Sequence, residues 1–222
     1  MKKLLSTILF LLMFLNAAIA DAPASSEPIV IFSGTGNQVP AQVLEQLLQE
    51  NADAVAIQIT KWTPSVSNGV STYDFIGPPA WYYISLTKSV TQRATTLDDR
   101  YIISCAKGVT KTLTTTFSHT VHSEISFSGS IGGEGYPLAT TTELGIDGSN
   151  TVTIATTVQY TGPSEDSEAN SREFRVRWYG DIGTWSGVLK YVASDETVVV
   201  TGNWIGVVGA VEYSVDRYIT PE

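Results

Sequence analysis

Cysteine is almost missing. Cys105 is the only one in 222 residues, so no disulfide can form within the chain, and stability must come from packing and sheet hydrogen bonds. It lies in the strand-like run Tyr101-Ile102-Ile103-Ser104-Cys105-Ala106, with Lys107 as its one basic neighbour in sequence. A buried small apolar residue is expected there rather than a reactive thiol. Histidine is nearly as scarce. His119 and His122 are the only two, and three apart on a strand they point to opposite faces and cannot share a metal. His122 and Glu124 do share a face, where a solvated surface pair is expected rather than an acid–base couple. Positive charge is also short. The 13 Lys and Arg against 22 Asp and Glu leave a net charge of −9, which excludes binding to nucleic acid or anionic lipid by bulk electrostatics.

Catalytic signatures are absent too. There is no His-Glu-x-x-His and no Gly-x-Ser-x-Gly. The run Gly183-Thr184-Trp185-Ser186-Gly187 is off by one and is expected to be a turn into a strand. Gly34-Thr35-Gly36 follows a strand, but Val39 stands where a dinucleotide loop needs its third glycine, so these are expected to be turn glycines. No catalytic, cofactor-binding or metal residue is assigned, no cofactor is expected, and the chain is expected not to be an enzyme. Glu165, Asp166 and Glu168 lack EF-hand spacing, and a solvated loop over Thr161–Arg172 is expected rather than a calcium site.

Only one long hydrophobic run exists, and it is at the start. Met1-Lys2-Lys3 is basic, Leu4–Leu15 is apolar apart from Ser6 and Thr7, and Ala18-Ile19-Ala20 is a small-x-small cleavage signal. Residues 1–20 are therefore expected to be a signal peptide cleaved after Ala20, giving a secreted protein. Cleavage removes Lys2 and Lys3 and no acid, which takes the net charge from −9 to −11. So little cysteine in an exported protein favours a bacterial source.

The rest, residues 21–222, is expected to be one β-rich domain. Its region 27–62 is strand–helix–strand. Ile29–Phe32 is a short apolar strand. Pro40–Asn51 carries Val43, Leu44, Leu47 and Leu48 at helical spacing, and Ala54–Thr60 alternates as a strand. Thr63–Ala80 is expected to be a loop. Region 81–219 is expected to be antiparallel β, with strands over Trp81–Thr87, Tyr101–Ala106, Thr110–Phe127, Ala139–Ile146, Thr151–Tyr160, Glu173–Tyr179, Gly187–Val192, Thr197–Gly202 and Val211–Tyr218. Asp147-Gly148-Ser149-Asn150 is expected to be a turn. The fold class is mainly β: an elongated antiparallel sheet or sandwich with one amino-terminal helix. On Glu173–Trp178, Phe174, Val176 and Trp178 alternate with Glu173, Arg175 and Arg177, which places Trp178 in a core. Trp62, Trp81, Trp185 and Trp204 show no such pattern, and a sugar-stacking role stays open for them.

The segment 112–130 is the most informative. Leu113, Phe117, Val121, Ile125 and Phe127 fall on one face with Thr115, His119 and Ser123. Thr112, Thr114, Thr116, Ser118, Thr120 and Ser126 fall on the other with His122, Glu124 and Ser128. This is a long two-faced ribbon, expected to continue through a glycine-rich turn over 128–137 into further alternating stretches. Its length and alternation suit a strand of a membrane-crossing hairpin. They also suit a sheet strand with one face on a core and the other in water. The first set is the candidate membrane or partner face, the second the candidate polar face.

Several segments together resemble a group of secreted, functionally uncharacterised β-rich proteins of Gram-positive bacteria. The matching pieces are PAQVLEQLLQENADAVAIQIT, YIISCAKGVTKTLTTTFS, YTGPSEDSEANSREFRVRWYGDIGTWSG and EYSVDRYI, which span most of residues 39–219. Ala106-Lys107-Gly108, Tyr160–Pro163 and Asn170–Phe174 are the most specific parts. The group is loosely similar to aerolysin-like β-pore-forming toxins through the Ser/Thr-rich hairpin between long strands. The resemblance implies an aerolysin-like architecture and a membrane-active or oligomerising protein, and it carries over no catalytic residue. The alternative is an extracellular binding module for cell wall, carbohydrate or protein. Expected partners are a membrane or cell-surface component and further copies of the chain.

Overall fold

A computed structural model describes residues 27–67, 81–128, 144–146 and 148–220. The leader expected over residues 1–20 and the glycine-rich turn beyond Ser128 lie outside them. The elements are β1 (Ile29–Phe32), α1 (Ala41–Gln49), β2 (Ala56–Pro64), β3 (Val66–Ser67), β4 (Trp81–Ala106), β5 (Thr110–Thr112), β6 (Phe117–His122), β7 (Glu124–Ile125), β8 (Gly148–Ile154), β9 (Gln159–Thr161), β10 (Ser171–Tyr191) and β11 (Thr197–Arg217). A single 3-10 turn, Gly36–Gln38, precedes α1. The fold is mainly β with one helix.

Three very long strands organise the molecule: β4 with 26 residues, β10 with 21 and β11 with 21. β10 pairs with β11 on one side and β4 on the other, both antiparallel. The main sheet runs β1-β2-β11-β10-β4, with β1 and β2 parallel, and β7 pairs with β11 beside it. Two small sheets, β3-β8-β6 and β5-β9, stand apart from it.

Six expected strands thus fuse into three. Trp81–Thr87 and Tyr101–Ala106 belong to β4, Glu173–Tyr179 and Gly187–Val192 to β10, and Thr197–Gly202 and Val211–Tyr218 to β11. Glycines between the fused runs make room for large neighbours. A Cβ on Gly183 would lie 2.7 Å from Trp204 Nε1, and one on Gly209 would lie 2.5 Å from the Trp62 ring. The run Gly183–Gly187 is therefore strand interior and not a turn. The expected loop from Thr63 is corrected in part: β2 continues to Pro64 and Val66–Ser67 is β3.

Successive residues of β10 point to opposite faces and build different cores. Val176 and Trp178, both fully buried, join Cys105, Val152, Ile154, Tyr160 and Ala210. On the alternate set, Tyr179 packs with Val211, Tyr213 and Val215 of β11, with Ile57 and Ile59 of β2, and with Val43 and Leu47 of α1. The helix lies there because its 3.6-residue stripe puts Val43 and Leu47 on one side, with Leu44 and Leu48 flanking. A third cluster lies toward the β10–β11 tip, around Trp185, Leu189, Val200 and Trp204, joined by Leu144 and Ile146.

Of the charges of β10, Arg177 is buried beside the end of the helix and Glu173 and Arg175 are half-buried. Arg177 pairs with Glu50 at the end of α1 and, at 2.6 Å, with Asp99 of β4; Arg175 bonds Asp99 and Glu173, each at 3.1 Å. Burial pushes the Tyr213 phenol beneath this cluster up to about 12, partly offset by the Arg177 charge. Arg172 grips Asp216 of β11 through two bonds of 2.6 and 2.8 Å.

Leu47→Ala is expected to cost about 3 kcal/mol in urea unfolding, because α1 docks largely through this fully buried side chain. Gln42→Ala, on the exposed side of the helix, is expected to stay within about 0.5 kcal/mol of the parent.

Candidate functional site

The Ser/Thr-rich segment forms a second layer, not one continuous ribbon. The strand expected over Thr110–Phe127 is broken into β5, β6 and β7, which pair respectively with β9, β8 and β11. Ser128 then bridges Thr201 of β11. The break between β5 and β6 falls at 113–116, where Leu113 instead exchanges backbone bonds with Val158 and Thr157. The expected strand Thr151–Tyr160 is likewise split into β8 and β9, and Thr157 between them has φ of 77°. Most of the expected strand Ala139–Ile146 lies outside the described residues. Leu144 and Ile146 within it are buried but are not strand.

Its two faces follow the period-two pattern. Leu113, Phe117 and Val121 pack on the cluster around Trp178, together with Val152 and Ile154 of β8. Ile125 packs on the Trp204 cluster, and Phe127 meets Trp185 edge-to-face at 5.1 Å. Phe127 is still 40% exposed. Outward, Thr112, Thr114, Thr116, Ser118 and Ser126 are exposed and Thr120 is half-buried. Two hydroxyl pairs cross β6–β8 on this side, Ser118–Thr153 at 2.9 Å and Thr120–Thr151 at 2.7 Å, and Thr110–Thr161 at 3.1 Å continues the pattern across β5–β9. The candidate membrane or partner face is thus turned onto the long sheet, and the hydroxyl face meets water.

Asn150 was missed by sequence reasoning. Gly148, Ser149 and Asn150 are in β8, not in a turn, and Asn150 is buried. Its amide donates to the carbonyls of Thr63 (2.8 Å) and Pro64 (3.0 Å), and its Oδ1 accepts the Trp178 indole N–H at 3.0 Å. One side chain thereby ties the second layer to β2 and to β10. The Asp-Gly-Ser-Asn composition masked it, since these types mark turns whenever no buried partner is known.

His119 was seen only as an interruption of the apolar face. It lies edge-on to Trp178 at 5.1 Å, with Nε2 2.7 Å from Asp98 of β4. Burial opposes ionisation of Asp98. The Arg100 side chain, the Asp99 amide and the Arg100 and His119 charges outweigh it and hold the carboxyl below its usual range. His122 is exposed on the opposite side, as expected. Cys105 is fully buried, with its thiol directed at the Tyr160 carbonyl at 3.2 Å. Trp62, Trp185 and Trp204 are buried, so none of them offers a sugar-stacking face on the surface. Glu165, Asp166 and Glu168 are exposed, and among the described residues no three His, Cys, Asp or Glu side chains are grouped to hold a metal ion. No helix among them is long and apolar enough to cross a membrane, which does not bear on crossing by strands.

No protein-family model matches the chain, and no match was found among curated proteins or solved structures.

Asn150→Ala is expected to cost about 2 kcal/mol in chemical denaturation, because it leaves the Trp178 N–H and two carbonyls without their partner. Asp98 has a depressed pKa, so its stabilisation is full above the ordinary carboxylate value of 3.8 and is lost as pH falls through the lowered one. The melting temperature of Asp98→Asn is therefore expected to fall less steeply than the parent's below about pH 4. An unchanged acid limb would show that this carboxylate does not anchor the layer.

Proposed function

We propose that the chain is a secreted, non-enzymatic β protein that acts on membranes by releasing its Ser/Thr-rich layer as an amphipathic hairpin. The observation that carries this reading is the way the layer is held. Leu113, Phe117 and Val121 rest on the Trp178 cluster by packing, and β6 pairs only with β8, which in turn pairs with the two-residue β3 and is pinned by the Asn150 side chain. Backbone bonds to the long sheet come at the β7 end, where Ser126 and Ser128 donate to Asn203 and Thr201. Detaching such a layer breaks few backbone bonds and exposes an apolar stripe whose reverse side is already hydroxyl.

The stowed arrangement also accounts for solubility. A hairpin with one greasy face aggregates when that face is exposed before it meets lipid. Packed on β10 and β4, the face is hidden, and the hydroxyl pairs keep the other side wet with Glu124 as its one acid. Of the polar residues on the stripe itself, His119 finds Asp98, Ser123 Oγ accepts the Val207 amide at 3.0 Å, and Thr115 is exposed to water. Assembly of several copies is the route by which one hairpin per chain closes a barrel, since open sheet edges are not tolerated in lipid. These features agree with an aerolysin-like architecture.

The test is dye release from liposomes. The full chain is expected to release dye, and Glu124→Cys/Ile205→Cys, joined across paired residues of β7 and β11, is expected to be silent when oxidised and active when reduced. A parent chain that releases no dye and stays monomeric with vesicles would sink the reading.

A further inference from the structure

Toward the β10–β11 tip the main sheet carries a cleft of about 310 Å³, away from the Trp178 cluster. It is built from sheet register. Thr184 of β10 stands between Ser89 of β4 and Asn203 of β11, and in the next row Ser186 stands between Thr87 and Thr201. Ser128, bridged to Thr201, extends that second row to a fourth hydroxyl. These residues alternate with Trp185 and Leu189, so they project from the side of the sheet opposite the buried Trp185–Trp204 cluster. The result is a grid of short hydroxyl and amide side chains at strand spacing.

Three properties of the grid select its ligand. No side chain lining the cleft is charged, in a chain where 16% of residues are Asp, Glu, Lys or Arg. Among the described residues, the side chains of Ser89, Ser128, Thr184, Ser186, Thr201 and Asn203 have no hydrogen-bond partner within the protein at these hydroxyl or amide groups. Each hydroxyl both donates and accepts, as does the amide. Beyond the grid the same side turns apolar. Val188 and Val199 form the next row with Ser85, Val199 being 68% exposed, and Tyr82, 43% exposed, pairs with Lys190 in the row after that. A concave, uncharged lattice of unpaired donors and acceptors followed by exposed C–H surface complements a molecule with many hydroxyls, no charge and apolar ring faces.

We infer that this cleft is a binding site for a neutral oligosaccharide chain, with sugar hydroxyls on the Ser89–Thr184–Asn203 and Thr87–Ser186–Thr201 rows and the next ring over Val199. An anion finds no cation in the lining, and an acidic chain would be repelled by a protein of net charge −9. An apolar ligand would leave the hydroxyls unpaired at the cost of their hydration. The site is complete with the Ser/Thr-rich layer in place, Ser128 included, so it does not rest on the membrane reading.

The experiment is calorimetric titration of the full chain with cellohexaose, maltohexaose and chitohexaose, and with an oligogalacturonate as the acidic control. At least one neutral hexasaccharide is expected to bind. Thr184→Val/Thr201→Val, which keeps β-branching and removes two hydroxyls, is expected to weaken binding about tenfold or more. Thr153→Val, on the hydroxyl ladder of the second layer, is expected to leave it unchanged. If the double variant does not fold, Ser186→Ala takes its place with the same expected direction. No binding by any neutral saccharide, preference for the acidic chain, or equal binding by a folded Thr184→Val/Thr201→Val variant would overturn the assignment. Dye release from sugar-free vesicles does not enter this readout, so failure here and failure of the membrane reading are separate results.

Discussion

The β10–β11 ladder is the constraint on which the rest of the structure depends. It pairs residues from Ser171 with Arg217 to Lys190 with Thr197, with a single register shift between Tyr179 and Gly180. Everything else is placed by which side of this hairpin it meets. β4 adds along one edge, β2 and β7 share the other, α1 covers Tyr179 and Tyr213, and the Ser/Thr-rich layer covers Val176 and Trp178. Because side chains alternate, one slipped residue would exchange Trp178 with Arg177. That would bury a guanidinium against Val152 and Ile154 and expose an indole. The Arg172–Asp216 pair and the Arg177–Asp99–Glu50 cluster exist only in the observed register.

On that frame the second layer is held by packing and by a few directed side-chain contacts. Apolar packing by Leu113, Phe117, Val121, Val152 and Ile154 is non-directional and contributes by area. Asn150 and the His119–Asp98 contact add direction and set where β8 and β6 sit. No backbone ladder joins β6 to the long sheet. The hydroxyl grid near the tip is built the other way. Its positions are set by continuous ladders across β4, β10 and β11, so it is rigid, and its side chains are left without internal partners.

Much of the first level was legible in the residues. The helix stripe of Val43 and Leu47, the alternation of Val176 and Trp178 with Arg175 and Arg177, and the two faces of 112–127 follow from periodicity, and the burial of Cys105 from its small apolar side chain in an apolar run. The errors share one cause. Gly183, Gly187 and Gly209, and the polar run at 147–150, read as punctuation because local propensity cannot see what packs against them. Trp204 over Gly183, Trp62 over Gly209 and Trp178 on Asn150 are contacts between residues 21, 147 and 28 positions apart. The hydroxyl grid was invisible for the same reason: Ser89, Thr184 and Asn203 belong to three strands and form no motif along the chain.

The sequence by itself determined what each segment can be. A two-residue repeat of greasy and hydroxyl side chains can satisfy itself only as extended chain with a dry side and a wet side, and one cysteine leaves packing to do the work of disulfides. Tertiary structure alone decided which segments meet. Pairing energy is nearly the same for many alignments of such strands, and the choice among them is made by the bulky, polar and charged side chains that must find one particular partner: Trp178 with Asn150, Arg177 with Glu50 and Asp99, and Arg172 with Asp216.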